Sequence, residues 1–455
     1  MPAAANDLPA LAARLVAAAE GLARAEDLRG VRVLLRADLN VPLTPDGAVA
    51  DDSRIRATLP ALQMLAAKGA RVALASHLGR PDADADAGGR PAAWRARHSL
   101  APVAAELRAH LPGDSFAGLA PDCVGPAAAA AVGALKDGQV LLLENLRLHA
   151  GEAANDAAFA AQLAALADVY VGDAFGVMHR AQASVTAVPA LMPHRYPGPL
   201  VARELSNYLA TMVHPRRPLG VAMGGAKVKD KIGVLRELIA RADVLVVGGR
   251  MAYTFLAALG VSVGRTQIEQ EWLEPARKMV DAAKARGVKL LLPTDVLVSE
   301  SLDAPVATRI VPLTRSCCTP EAPCIPPGSF GVDIGPATAA AYAEALEACE
   351  TLFWNGPMGR FEVPEFGGGT NALIAAVTAA TKRGAATCIG GGDSLAAFAH
   401  AGPGAAVGFA STGGGASLEL LEGAAMPGLR ALDSPAAPAA LVAAAPAPAA
   451  AAAAQ

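Results

Sequence analysis

The stretch Val31–Pro42 reads VRVLLRADLNVP, and the fold turns on how it is read. Its apolar start predicts a buried strand. Arg36, Asp38 and Asn40 then follow at alternate positions, on one face if the strand continues. A strand covered on both faces is normally apolar throughout. The polar groups therefore sit at an exposed strand end or hold something. The same grammar recurs in RVALASHLGR, QVLLLENLR, DVYVGDAFG, LGVAMGGAK, DVLVVGG, VKLLLPTDV, LFWNGPMG, TCIGGGDS and VGFASTGGG, with alanine-rich helical segments between. Such βα alternation predicts parallel sheets with helices on both faces. In open α/β sheets ligands lie beyond the carboxyl ends of the strands, which is where these polar and glycine-rich tips fall.

The tips change character along the chain. Up to about residue 190 they carry charge, and from about 219 they carry glycine. Between them, GPLVARELSNYLATMVHPRRP reads as a helix stopped by Pro215 and Pro218. A chain of 455 residues also exceeds one ordinary core. The expectation is α/β: two doubly wound parallel-sheet (Rossmann-like) domains joined by a helix, with a cleft between them. The boundaries expected are a helical N-terminal extension over 1–28, a first domain over 29–200, a connecting helix over 201–216 and a second domain over 217–415. A segment over 416–433 returns toward the first domain, and a disordered Ala/Pro tail covers 434–455.

Composition excludes several classes. The net charge of −3 gives no broad basic footprint for nucleic acid. No run of about 20 uninterrupted apolar residues reads as a membrane span. The first residues lack a basic start before a long apolar stretch, so they do not read as a secretory signal. The six cysteines follow no disulfide framework, and a reducing cytoplasm is the expected setting. Cys317, Cys318 and Cys324 cluster, but without histidine or CxxC spacing to support a metal site.

The first half offers Arg36, Arg54, His77, Arg80, Arg147 and Arg180 at or beside strand tips. Any one arginine is more often a solvated surface group. Several on one rim suit a small anion carrying carboxylate and phosphate, which arginine forks match bidentately. The second half offers GGAKVKDK, GGGDS and STGGGAS. Glycines let backbone approach phosphate, and a following helix amino terminus favours negative charge. If a helix starts near Lys227, then Lys227 and Lys231 share a face and Lys229 points away. Asp393 is placed to hold magnesium. Neither a GxxxxGK[ST] loop nor a GxGxxG turn is present. A small-anion domain beside a nucleotide domain points to phosphoryl transfer. No residue at the tips is placed as a general base, and a carboxylate acceptor, ionised above about pH 4, needs none.

Together, RADLNVP, SHLGRP, LLLENLRLHAGE, DAFGVMHRA, GGAKVKDKI, WNGPMGRFE, GGGDS and STGGGASLELLEG resemble the phosphoglycerate kinase family, in its order, from about residue 30 to about 430. The resemblance implies reversible, Mg²⁺-dependent transfer between 1,3-bisphosphoglycerate with ADP and 3-phosphoglycerate with ATP, by a cytoplasmic monomer that closes on its substrates. It implies Asp38, Asn40, Arg54, His77, Leu78, Gly79, Arg80, Arg147 and Arg180 as 3-phosphoglycerate ligands. Arg36, Arg54 and Lys227 are implied in catalysis. Gly225, Ala226, Lys227, Lys231, Gly331, Asn355, Gly356, Met358, Glu362, Gly391, Gly392, Asp393 and Ser394 are implied at the nucleotide, with Asp393 as the metal ligand. The chain departs from the pattern at Val177, Met178, Gln182, Lys229 and Arg250, and the segments 82–97 and 313–329 look expanded. Arg250 would bring a large cation close to the purine. Two rivals remain. An inactive relative would bind nucleotide without turnover, and a dehydrogenase would need a GxGxxG turn where RADLNVP stands.

Overall fold

The structure is a computed structural model and describes residues 7–81, 92–229, 231–313 and 324–433. The proposed Ala/Pro tail, Cys317, Cys318 and most of the expanded segment 82–97 lie outside the described residues. The chain forms two compact units. The described residues of Met1–Ser206 and Ala424–Gln455 make one, and Asn207–Gly423 the other.

The first unit is built on β1 (Arg32–Ala37), β2 (Arg71–Ala75), β3 (Phe116–Leu119), β4 (Val140–Leu142), β5 (Val169–Asp173) and β6 (Arg195–Pro197). They form one parallel sheet in the order β3-β4-β2-β1-β5-β6. Val33, Leu35, Val72, Leu74, Val140, Leu142 and Val171 belong to one apolar core under this sheet. The order reverses between β1 and β5, the crevice where ligands of such sheets bind. The helix Leu8–Arg24 packs on this unit, burying Leu8, Leu11, Leu15 and Leu22. Pro427–Leu432 packs here too, with the Gly428 N–H donating to the Met178 carbonyl at 2.9 Å.

The second unit starts with β7 (Leu219–Met223), β8 (Val244–Val247) and β9 (Lys289–Leu291). An antiparallel sheet of β10 (Asp295–Ser299), β11 (Arg309–Pro312) and β12 (Phe330–Ile334) follows, in the order β11-β10-β12. Then come β13 (Thr351–Asn355), β14 (Ala386–Gly390) and β15 (Phe409–Ala410). The parallel sheet runs β15-β14-β13-β7-β8-β9 and reverses between β7 and β13.

The fold is thus α/β with two six-stranded parallel sheets. The three-stranded antiparallel sheet was not among the sequence expectations, nor were the short β3 and β6. VKLLLPTDV, read as one run, is split by Pro293 into β9 and the start of β10. The connector is helical from Pro199 to Tyr208, then widens, with the His214 N–H donating to the Leu209 carbonyl at 2.8 Å. Cys324 is disulfide-bonded, against the reading of no disulfides, whereas Cys123, Cys349 and Cys388 are reduced and buried. Among the described residues no helix is long and apolar enough to cross a membrane.

Candidate active site

In the first unit, the side chains after β1, β2, β4 and β5 converge at one end of the sheet. Arg36 lies one residue before the end of β1 and is wholly buried. Its Nε donates to Ser184 Oγ at 2.8 Å and an Nη to the Ala37 carbonyl at 2.6 Å. Its other Nη lies 3.4 Å from His77 Nδ1. The polar residues of RADLN therefore do both things the sequence left open: Arg36 is held inside, while Asp38 and Asn40 reach the rim. Asp38 binds Arg54 directly. The Asn40 side-chain carbonyl accepts the Gly79 N–H at 2.7 Å. Arg147 donates to the Gly79 carbonyl at 2.5 Å. Leu78 is buried, and its loop is clamped by Asn145, which accepts the Leu78 N–H at 3.2 Å and donates to the Leu78 carbonyl at 2.9 Å. Arg80 is exposed and Arg180 half-buried.

The electrostatics show how close these groups lie. Burial, then the charges of Arg36, Arg147, Arg180 and Arg54, hold His77 well below the ordinary histidine range. Burial pushes the Arg147 guanidinium down to about 10, helped by Arg180, Arg36 and Arg80 and opposed by Glu152. An anion placed among these cations would favour their charged forms. Hence Arg36, Arg54, His77, Arg80, Arg147 and Arg180 form one cluster, with Arg36 behind His77 and not at the surface.

The second unit builds its site from backbone. The Lys231 ammonium donates to the Gly224 carbonyl at 2.6 Å and the Asn355 carbonyl at 3.2 Å. These carbonyls follow β7 and end β13, so Lys231 marks the reversal of this sheet as Arg36 marks that of the first. The Gly225 N–H reaches the Pro357 carbonyl at 3.0 Å, and the Gly249 N–H the Met358 carbonyl at 2.8 Å. The Gly356 N–H donates to the buried Ser394 hydroxyl at 2.6 Å. Gly391, at φ +93°, turns the chain from β14 into the helix Gly392–His400, a conformation that favours glycine. Asp393 stands exposed in the first turn of that helix. Ala226, Lys227 and Glu362 are exposed as well. Gly331, in β12, packs against the Tyr253 phenol where a Cβ would have no room.

One expectation fails here. The helix after GGAKVKDK starts at Ile232, not near Lys227, so Lys227 and Lys231 do not share a helical face. Glu269 accepts the Val228 N–H at 2.5 Å and the Lys229 N–H at 3.3 Å, and a turn closes from the Lys231 N–H to the Val228 carbonyl. These contacts hold the segment as a loop. Arg250 lies against that loop, donating to the Ala226 carbonyl at 3.0 Å and to Gln267 at 3.3 Å.

Sequence reasoning missed Asn145, Ser184, Glu152 and Glu269. The first three lie inside or beside quoted motifs, but a lone amide, hydroxyl or carboxylate there reads as solvated. Among the described residues Asp122, Cys123 and His149 meet, as do Asp52, Glu106 and His110. Asp122 is already taken by His149 at 2.6 Å and Arg95 at 2.9 Å, and Asp52 by Arg56 at 2.7 Å. A metal would have to displace a guanidinium in either place.

A phosphoglycerate kinase family model matches residues 23–424. The chain belongs to the phosphoglycerate kinase family. A phosphoglycerate kinase from Synechococcus sp. (strain JA-3-3Ab) is 47% identical over 402 residues, covering 88% of this chain and 95% of the relative. A wheat (Triticum aestivum) relative, named a cytosolic phosphoglycerate kinase, is 45% identical with the same coverage. Among solved structures, phosphoglycerate kinase from Coxiella burnetii superposes with a TM-score of 0.76 at 36% identity, covering 89% of this chain and 96% of that one. The Pyrococcus horikoshii OT3 enzyme gives a TM-score of 0.72 at 28% identity, with the same coverage. Family membership accounts for two sheets with chemically different rims in one chain.

Proposed function

We propose that this chain is a working phosphoglycerate kinase. It transfers a phosphoryl group reversibly between the acyl phosphate of 1,3-bisphosphoglycerate and ADP, giving 3-phosphoglycerate and ATP. The observation that carries this reading is the arginine cluster at the strand tips, where Arg147 holds the Gly79 carbonyl, Arg54 binds Asp38 and Arg36 lies 3.4 Å from His77. Arg54, Arg80, Arg147 and Arg180 bind the acid's phosphate and carboxylate, and neutral His77 with Asp38 and Asn40 takes its hydroxyl and remaining oxygens. Arg36 contributes from behind His77, by charge and by fixing the ring.

On the other unit, Gly225, Ala226, Gly356, Gly391 and Gly392 offer backbone to the phosphates, with Lys231 and Ser394 bracing the loops. Gly331, Met358 and Glu362 face the nucleoside, and Asn355 carries one of the carbonyls that hold Lys231. Lys227, exposed on its loop, neutralises charge in flight. Asp393 is a hard oxygen donor on a helix amino terminus beside a phosphate turn, which fits Mg²⁺ shared with phosphates. When bound, that ion supplies charge neutralisation. The acceptor is already ionised, so positioning and electrostatics suffice without a base. With one reactant per unit, turnover requires both to be bound, and transfer in line as the units close on them. The chain works as a cytoplasmic monomer without nucleic acid or membrane partners.

A coupled assay run in both directions tests this, with ATP and GTP compared. Activity that needs Mg²⁺ and 3-phosphoglycerate is expected. Nucleotide binding without turnover would point to the inactive relative.

A further inference from the structure

Glu152 has no solvent-exposed surface, and neither has Arg36, whose guanidinium lies 4.0 Å from it. Such a pair is expensive to bury, and breaking one partner is more damaging than replacing both. Glu152 is also fully engaged. One oxygen accepts the Ser184 hydroxyl at 2.6 Å, and the other accepts the Ser184 N–H at 2.8 Å. Ser184 Oγ in turn accepts Arg36 Nε at 2.8 Å, and the Tyr170 hydroxyl donates to the Ser184 carbonyl at 2.8 Å. One carboxylate thus ties three pieces of chain together. It sits in the short helix Ala150–Ala153 just after Arg147, holds the turn Ala183–Ala187 just after Arg180, and faces Arg36 near the end of β1.

We infer that Glu152 is a positioning residue for the 3-phosphoglycerate site: through Ser184 it fixes the Arg36 guanidinium, and by joining the helix after Arg147 to the turn after Arg180 it keeps those arginines in register. This rests on the kinase reading above. Glu152 touches no substrate in this account. A merely structural anchor would have no cause to lie within the field of the substrate arginines. Yet Arg147, faced by Arg180, Arg36 and Arg80, has Glu152 as the group that opposes them and favours its charged form. Cys123 and Tyr170 also feel Glu152, and both stay neutral, raised chiefly by burial.

The test is calorimetric binding of 3-phosphoglycerate and of ADP to folded wild type, Glu152→Gln and Ser184→Ala, across pH 7 to 10. Glu152→Gln keeps an acceptor for the Ser184 N–H and removes the charge. It should weaken 3-phosphoglycerate binding at least about tenfold, as expected for disturbing a charge-assisted hydrogen bond, and leave ADP binding unchanged. It should also move the alkaline loss of 3-phosphoglycerate binding to lower pH, because Arg147 loses the carboxylate that favours its charge. Ser184→Ala should weaken 3-phosphoglycerate binding without moving that limb. A folded Glu152→Gln protein with wild-type affinity and wild-type pH limb would overturn the inference. If Glu152→Gln does not fold, wild-type affinity in Ser184→Ala overturns it instead. A wild type that binds no 3-phosphoglycerate would overturn the kinase reading itself, and this inference with it.

Discussion

The two units use the same architecture at the same place and build opposite rims on it. Each is a six-stranded parallel sheet whose order reverses beside its first strand, and each places a cation at that reversal. In the first unit the cation is Arg36, inside a network of side chains. In the second it is Lys231, resting on two backbone carbonyls, with glycines all round. Side chains read a small acid by charge and shape. Backbone and glycine admit a bulky phosphate chain, because nothing projects from them. A kinase that must tell one small acid from others, yet hold a common nucleotide, can divide its chemistry this way.

The sharpest way to break the comparison is at Lys227, the lysine proposed to act on the transferring group. Lys227 is exposed on its loop, unlike Lys231. Lys227→Ala should lower the turnover number by about 10²–10³, the usual cost of losing a group that stabilises transferring charge. Binding of either substrate alone should change little. Steady-state kinetics beside equilibrium binding would check both halves, and normal turnover would place Lys227 among the bystanders.

Next in size is a test of the glycine half. A Cβ at Gly331 would intrude on the Tyr253 phenol, part of the small core with Leu256, Val296 and Val298. Gly331→Ala should cost on the order of 1–3 kcal/mol by overpacking and weaken ADP binding while sparing 3-phosphoglycerate. Thermal melts and calorimetry would show it. Equal loss of both ligands would blur the division of labour.

The smallest effect concerns a buried carboxyl in the first unit's own fold. Asp173, at the end of β5, accepts the Leu200 N–H at 2.7 Å and the Val201 N–H at 3.2 Å. It thereby caps the helix Pro199–Tyr208. Burial pushes its carboxyl up to about 6, above the usual value near 4. A native pKa above the unfolded one means that the folded state holds the extra proton. The stability it contributes is therefore full below about pH 4 and is lost as pH rises through about 6. Asp173→Asn keeps the accepting oxygen and cannot ionise. Melting curves should show wild type losing stability relative to this variant between pH 5 and pH 8. A constant difference across that range would refute the assignment.

Much of this was legible in the sequence, and what was not has definite causes. Apolar runs ending in charge or glycine announced β1, β2, β4, β5 and the parallel strands of the second unit, because strand burial and tip chemistry are both local. Family motifs supplied roles for residues that periodicity cannot rank, such as Glu362 and Met358. The antiparallel β10–β12 went unread because its strands lack the charged or glycine-rich tips that marked the others, although β10 and β11 pair closer in sequence than the parallel strands do. The start of the helix at Ile232 was misplaced because a remote carboxylate, Glu269, claims the N–H groups of Val228 and Lys229. The depth of Arg36 was invisible for the same reason: its counter-charge, Glu152, reads as an ordinary surface acid among alanines.

The division of labour between the two rims is tested most directly by titrating 3-phosphoglycerate and ADP separately into Arg180→Ala. Arg180 belongs to the cluster that crowds Arg147 and His77. The account predicts 3-phosphoglycerate binding weaker by about tenfold or more, the scale of a lost charge-assisted hydrogen bond, with ADP binding as in wild type. Loss of ADP affinity with 3-phosphoglycerate binding intact would contradict it.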